Sequence, residues 1–188
     1  PDQIVPGFGT PGAYAEYVAV PFDHNLVTLP ETITPALAAG LGCRVTTAWH
    51  ALTDRAALRA GEWVAVHGTG GIGLATLLLA KMLGARVVVV DVVDEKLAHA
   101  EALGADAAVN AAKVDAAAAI REITGGDGVH AVYDSIGKDT FEDSLSCLRP
   151  LGLMAQFGEA SGEPPLVSPR KLGILGSVFL THPSLPHY

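Results

Sequence analysis

Residues 64–76 read Val64-Ala65-Val66-His67-Gly68-Thr69-Gly70-Gly71-Ile72-Gly73-Leu74-Ala75-Thr76, an apolar run that breaks into four glycines and turns apolar again. The run that leads into them, Trp63–His67, is too short for a helix and lacks polar alternation, as expected of a strand buried on both faces. The run that leaves them, Gly71–Leu83, has the length and composition of a helix. The same alternation continues outward. Further strand-like runs stand at Arg86–Asp91, Ala107–Val109, Val129–Tyr133 and Leu153–Phe157, and helical stretches at Asp94–Leu103, Val114–Thr124 and Thr140–Leu148. Gly84 and Gly104 sit where two of these helices should end. Strand and helix in strict alternation predict an α/β fold, a doubly wound parallel sheet covered on both sides.

In that setting the glycines acquire a chemical meaning. Gly68, Gly70 and Gly73 satisfy G-x-G-x-x-G between a strand and a helix. Gly68 allows the tight turn, Gly70 lets a pyrophosphate approach the backbone, and Gly73 permits close packing of helix on strand. Gly71 and Ile72 open the helix, whose free N–H groups and partial positive charge suit that phosphate. Asp91 closes the next strand, eighteen positions past Gly73, where this dinucleotide-binding fingerprint expects an acid for the adenosine ribose hydroxyls. A carboxylate there would repel a 2′-phosphate, so NAD is expected over NADP. The alternative role of Asp91 is to cap the helix that begins near Asp94. Lys96 could reach the same ribose or stand solvated.

Composition narrows the partners. Hydrophobic residues make up 49% of the 188 and charged residues 17%, so a core can form and disorder is excluded as the main state. The formal net charge is −8 and no run of Lys or Arg offers a basic stripe, which speaks against nucleic acid or an anionic membrane as partner. The longest apolar stretch, Leu74–Leu83, is interrupted by Lys81 and too short to span a bilayer. Two cysteines, Cys43 and Cys147, suggest no disulfide framework, and a cytoplasmic setting is expected. The sequence starts at Pro1 and reads as a fragment. Residues 1–34 differ from the rest. Gly12–Val20 looks like a strand, and Pro21, Pro30 and Pro35 punctuate the chain after it, so this segment reads as the tail end of another domain.

Three blocks of sequence, G-A-Y-A-E-Y-V-A-V-P (12–21), L-G-C-R-V-T-T-A-W-H-A-L (41–52) and the glycine fingerprint ending in V-V-V-V-D, resemble the medium-chain dehydrogenase/reductase superfamily, and within it the zinc-dependent alcohol dehydrogenases. The resemblance implies a Rossmann domain over 35–188 after a remnant of a β-rich, GroES-like catalytic domain over 1–34. It makes Cys43 a ligand of a catalytic zinc, places Thr47 against the nicotinamide, assigns Asp91 and Lys96 to the ribose and Ile136 to the adenine, and has the backbone near Phe157 and Gly158 hold the carboxamide. The rear third, with V-Y-D-S-I-G-K-D-T-F (132–141), L-S-C-L-R-P-L-G-L-M-A-Q-F-G (145–158) and G-S-V-F-L-T-H-P-S-L (176–185), resembles instead the zinc-free quinone oxidoreductases, which prefer NADPH. The family's other zinc ligands, a Cys and a His, and the C-terminal segment that packs back on the catalytic domain are expected outside residues 1–188.

Two classes of function are open to such a chain. One is an enzyme that moves hydride between a nicotinamide cofactor and an alcohol, carbonyl or quinone, the cofactor carrying the chemistry. The other is a nucleotide-binding, dimerising module without turnover. Zinc catalysis normally takes three protein ligands and an open position. Cys43 offers one, or is a buried small hydrophobe, so this chain alone is expected to hold no stoichiometric zinc. Cys147, on an apolar helix face, reads as core. His67 either approaches the pyrophosphate or packs at the strand end, and His50 reads as structural. No G-x-S-x-G elbow supports a hydrolase. Finally, Ile174–Leu180 reads as an uncharged strand at the rim of the sheet, an edge that invites pairing with a second copy.

Overall fold

The computed structural model describes Gly7, residues 10–20 and residues 26–184, and the chain divides into two compact units, Pro1–Gly40 and Leu41–Tyr188. The described part of the first unit holds a turn closed by the Gly7 N–H on the Thr10 carbonyl (2.9 Å) and one short helix, α1 (Pro35–Gly40). Thr34 starts that helix, its hydroxyl and its carbonyl accepting from the N–H groups of Leu37 and Ala38. The strand expected over Gly12–Val20 is not formed. Residues 11–20 run as bends and extended chain without a partner among the described residues, and Tyr14 and Tyr17 stand exposed. A strand needs a ladder to satisfy its backbone, and alternation alone cannot supply one.

The second unit opens with a helical run: a π-helical turn (Leu41–Val45), α2 (Thr46–His50) and a second π-helical turn (Ala51–Arg55). The alternation expected from the sequence comes next. Strands β1 (Trp63–His67), β2 (Arg86–Asp91), β3 (Ala107–Asn110), β4 (Val129–Asp134), β5 (Leu148–Gln156) and β6 (Phe179–Thr181) form one sheet in the order β3-β2-β1-β4-β5-β6, every neighbouring pair parallel. Between them lie α3 (Gly71–Met82), α4 (Asp94–Ala102), α5 (Ala116–Ile123), α6 (Phe141–Ser146) and α7 (Pro169–Ile174). This is the doubly wound sheet. Its order reverses between β1 and β4, the switch point at which such sheets open a crevice beyond the carboxyl ends of their strands.

Both faces of the sheet are covered, so successive residues of a strand enter different cores. Val64, Val66, Val87 and Val89 pack with Leu77 and Ala80 of α3 on one side; Ala65, Val88, Val90 and Val132 pack with Ile120 of α5 and Phe141 of α6 on the other. Each fully buried valine contributes about 1.5–3 kcal/mol as an upper estimate. The expected glycine stops are present. Gly84 (φ 80°) and Gly104 (φ 105°) end α3 and α4 in left-handed conformation, each with the paired backbone bonds of a Schellman cap.

Two regions depart most from the sequence reading. The helix expected over Thr140–Leu148 stops at Ser146, because β5 begins at Leu148 and not at Leu153. The edge strand expected over Ile174–Leu180 is reduced to β6, Phe179–Thr181. Ser168 caps α7 by accepting from the Lys171 N–H and Pro169 fits its first turn, which carries Ile174 into a helix. Gly176 (φ 105°) and Ser177 (φ 57°) then turn the chain before the strand. Among the described residues no helix is long and apolar enough to cross a membrane.

Candidate functional site: a glycine loop at the switch point

The loop after β1 is built around space that only glycine leaves. Gly68 adopts φ 90° and its N–H donates to the Val90 carbonyl at 2.8 Å. A Cβ on Gly68 would stand 2.7 Å from Cδ1 of Ile136. At Gly73 a Cβ would lie 1.9 Å from the Gly68 carbonyl oxygen, a backbone overlap that no side-chain adjustment relieves, so helix and loop touch through Gly73. Gly70 is the N-cap of α3; it is exposed, and a Cβ there would meet nothing within 4 Å beyond its own chain neighbours among the described residues. The first turn of α3 carries no acidic side chain and no side chain caps it, so its N–H groups face that open space as anion donors. Ile72, half-buried in the same turn, offers its carbonyl to the Thr76 hydroxyl at 2.9 Å.

Asp91 ends β2 and reaches across to this loop. Its Oδ2 accepts from the N–H and the hydroxyl of Thr69 (2.9 and 2.7 Å), while Oδ1 accepts from the N–H groups of Val92 and Val93 (2.8 and 3.2 Å). Partial burial pushes its pKa up. The two Thr69 bonds, the Val92 N–H and the Lys96 charge outweigh burial and hold it below the ordinary carboxylate value. Asp91 is therefore ionised at neutral pH, still part-exposed, and tied to the glycine loop by Thr69. Lys96 stands exposed on the first half of α4. The alternative role for Asp91, a cap for α4, is not what the side chain does: the N-cap of α4 is Val93, with no side-chain cap.

The far wall comes from the loops after β4 and β5. Asp134, fully buried and in register with His67, accepts from the N–H groups of Ile136 and Gly137 (2.8 and 3.0 Å), and from the hydroxyls of Thr140 and Ser144 (2.8 and 2.7 Å to Oδ2). It thereby fixes the turn that lays Ile136 over Gly68. Ser135 donates its hydroxyl to the His67 carbonyl at 3.1 Å. The Phe157 N–H donates to the Asp134 carbonyl at 3.0 Å, and a Cβ on Gly158 would fall 2.4 Å from the Ser135 carbonyl oxygen. Thus Gly68–Gly73, Asp91, Ile136, Phe157 and Gly158 gather at the carboxyl end of the sheet. Thr69, Asp134, Thr140 and Ser144 complete the arrangement without having been singled out from the sequence. The one available signal was position, since Asp134 ends its strand as Asp91 does.

The remaining candidates fall elsewhere in the unit. Thr47 is buried on α2, which packs against α3. His67 is buried, and neither ring nitrogen has a hydrogen-bond partner among the described residues. Its loss of solvent drives its pKa below the ordinary histidine value, against the pull of Asp134 and Asp143. Cys147 is buried, its thiol pushed up to about 12 by burial. Cys43 is exposed in the first π-helical turn, not a buried hydrophobe.

An open parallel sheet with a glycine loop and an acid at its switch point defines a dinucleotide-binding domain of the Rossmann class. Residues 71–184 match the zinc-binding dehydrogenase family. The chain belongs to that family, and so to the medium-chain dehydrogenase/reductase superfamily. It is 39% identical over 181 residues to a 2-haloacrylate reductase of a Burkholderia species, covering 94% of this chain and 54% of the relative. It is 36% identical over 167 residues to an alcohol dehydrogenase of Geobacillus stearothermophilus, covering 88% and 48%. The structure of Escherichia coli quinone oxidoreductase complexed with NADPH superposes with a TM-score of 0.80 at 36% identity, covering 86% of this chain and 50% of that one. The chain spans about half the length of the curated relatives it matches.

The family's two groups fit this chain unequally. A dinucleotide fits: the free helix N-terminus, the open approach at Gly70 and the ionised Asp91 are the donors and acceptor it needs. A zinc site does not fit on the described residues, among which no three His, Cys, Asp or Glu cluster to hold a metal. Cys43 would need companions from outside them.

Proposed function

We propose that this chain is the nucleotide-binding part of an NAD(P)-dependent oxidoreductase of the medium-chain alcohol dehydrogenase type, with NAD preferred. In this reading residues 1–34 are the tail end of the catalytic domain and 35–188 the dinucleotide-binding domain. The observation that carries it is the glycine loop with an ionised Asp91 tied to it. The bound nicotinamide supplies or accepts the hydride exchanged with an alcohol or carbonyl substrate. The protein's part is placement. Gly70 and the first turn of α3 receive the pyrophosphate, Asp91 and Lys96 face the ribose hydroxyls, and Ile136 lies against the adenine side. Thr47, Phe157 and Gly158 are the candidates for the nicotinamide end. An ionised carboxylate at the ribose disfavours a 2′-phosphate by charge, hence NAD over NADP.

Reduction of a quinone or another conjugated carbonyl, with NADPH and without zinc, is the second reading. Relatives named as a haloacrylate reductase and quinone oxidoreductases support it, as does the NADPH named with the latter. Steady-state assays of the complete protein with NADH and NADPH, against a quinone and against an aldehyde, separate the two. Oxidation of NADH by aldehyde favours the first and of NADPH by quinone the second; neither leaves a module that binds nucleotide without turnover. We also propose a homodimer through the sheet edge at β6, because that strand is terminal in the sheet and Phe179 on it is exposed.

A further inference from the structure

Three of the four glycines have their reasons in the fingerprint; Gly71 does not. It is the fourth position of G-x-G-x-x-G, and its φ lies outside the left-handed region that favours glycine. What Gly71 makes room for is a side chain. A Cβ at Gly71 would stand 2.8 Å from Nε and 3.0 Å from Cδ and Cζ of Arg44, so the guanidinium stem of Arg44 lies directly across the start of α3. Arg44 comes from the π-helical turn Leu41–Val45, which packs against α3 within the same unit.

This placement is electrostatically unusual. A helix N-terminus carries about half a positive charge and ordinarily attracts an acid. Here the first turn of α3 has none, and the residue laid across it is a cation. Arg44 is exposed, and no hydrogen bond or ion pair joins it to any described residue. The nearby carboxylate, Asp91, is met by Thr69, Val92, Val93 and Lys96. The helix N-terminus and the Arg44 guanidinium thus lie together at Gly71, beside the open space at Gly70, and an anion placed between them satisfies both. Guanidinium is also the side chain whose planar fork matches phosphate oxygens two at a time.

Resting on the dinucleotide reading, we propose that Arg44 is a pyrophosphate clamp: it holds the bridging phosphates of the cofactor against the N-terminus of α3, and Gly71 is glycine so that Arg44 can pass. Such a clamp acts on NAD and NADP alike, whereas a contact to the 2′-phosphate would act on NADP alone.

The test is calorimetric titration of NADH, NADPH and adenosine into the wild-type chain and into Arg44→Met, Arg44→Lys and Gly71→Ala, all at one ionic strength. Arg44→Met keeps an unbranched stem over Gly71 without the charge. It should weaken NADH and NADPH by a similar factor, roughly tenfold or more, and leave adenosine unchanged. Arg44→Lys should recover part of the loss. Gly71→Ala, by displacing the Arg44 side chain, should reproduce much of the loss and add little on top of Arg44→Met. Undiminished NADH binding by Arg44→Met overturns the clamp, as does a loss confined to NADPH or an equal loss for adenosine. A wild-type chain that takes up neither dinucleotide overturns the underlying dinucleotide reading, and the clamp with it.

Discussion

Asp91 is held by Thr69 in a way that makes one side chain serve two purposes. The carboxylate fixes the glycine loop through the Thr69 N–H and hydroxyl while remaining part-exposed, which leaves it open to the ribose of the proposed dinucleotide. Asp91→Ser should weaken NADH binding roughly tenfold or more, the worth of charge-assisted hydrogen bonds, while raising relative affinity for NADPH; fluorescence titration with both nucleotides reads the ratio. An unchanged ratio would remove Asp91 from cofactor selection. His67 gives the second prediction. Its folded pKa lies below the unfolded value near 6.5, so the unfolded chain binds a proton that the buried ring does not. Stability is therefore fully present above about pH 6.5 and declines as pH falls from there toward the folded value. In His67→Leu, of similar volume, the drop in melting temperature between pH 7.5 and 5 should shrink. It should not vanish, because burial lowers the His130 pKa too; equal drops in both proteins would contradict the assignment. At this scale the sequence was partly legible. Spacing singled out Asp91 and the glycines, which the fold brings together at one loop because their placement follows from positions along the chain. Thr69, Asp134 and Arg44 were not found, because each acts through a contact that exists only once distant elements pack.

Among the elements, the strands buried on both faces were the most legible, since hydrophobic runs between glycine stops admit few other readings. The errors share a cause. Residues 145–156 and 172–180 are largely apolar, with only scattered polar residues, and periodicity cannot say where such a run changes from helix to strand. At Leu148 the change comes one residue after α6, and at Ile174 the decisive signal was the Ser168–Pro169 start of α7. Caps of this kind carry measurable energy. Asp115 caps α5 by accepting from the Ala118 N–H at 2.8 Å, and Asp115→Ala should cost about 1 kcal/mol in urea unfolding. A loss near zero would show that α5 is held by Ile120 and its core contacts alone.

For the whole molecule, the fold class and the family could be read from the sequence, and the homodimer stands as a proposal. The shortened β6 fixes where the proposed dimer is tested. Val178 is buried in the core and precedes the strand, so a lysine there would unfold the chain and leave the edge unexamined. Phe179, exposed on β6 itself, is the position to change. Sedimentation velocity should show a dimer for the wild type and a monomer for Phe179→Lys; a dimer in both would place the interface elsewhere.

On the proposed function, the open space at Gly70 is where a nicotinamide dinucleotide lays its pyrophosphate. Gly70→Asp tests it most directly. The backbone there is extended (φ −77°, ψ −167°), no described residue beyond its chain neighbours lies within 4 Å of an added Cβ, and aspartate is a favoured N-cap, so the variant should melt at or above the wild-type temperature. Its carboxylate would take the free N–H groups of α3 for itself and repel the phosphates. Titrated with NADH by calorimetry, the wild-type chain should bind one equivalent, and Gly70→Asp, equally folded, should bind none. NADH binding of equal strength in both, or none in the wild type, would rule out a pyrophosphate site at Gly70.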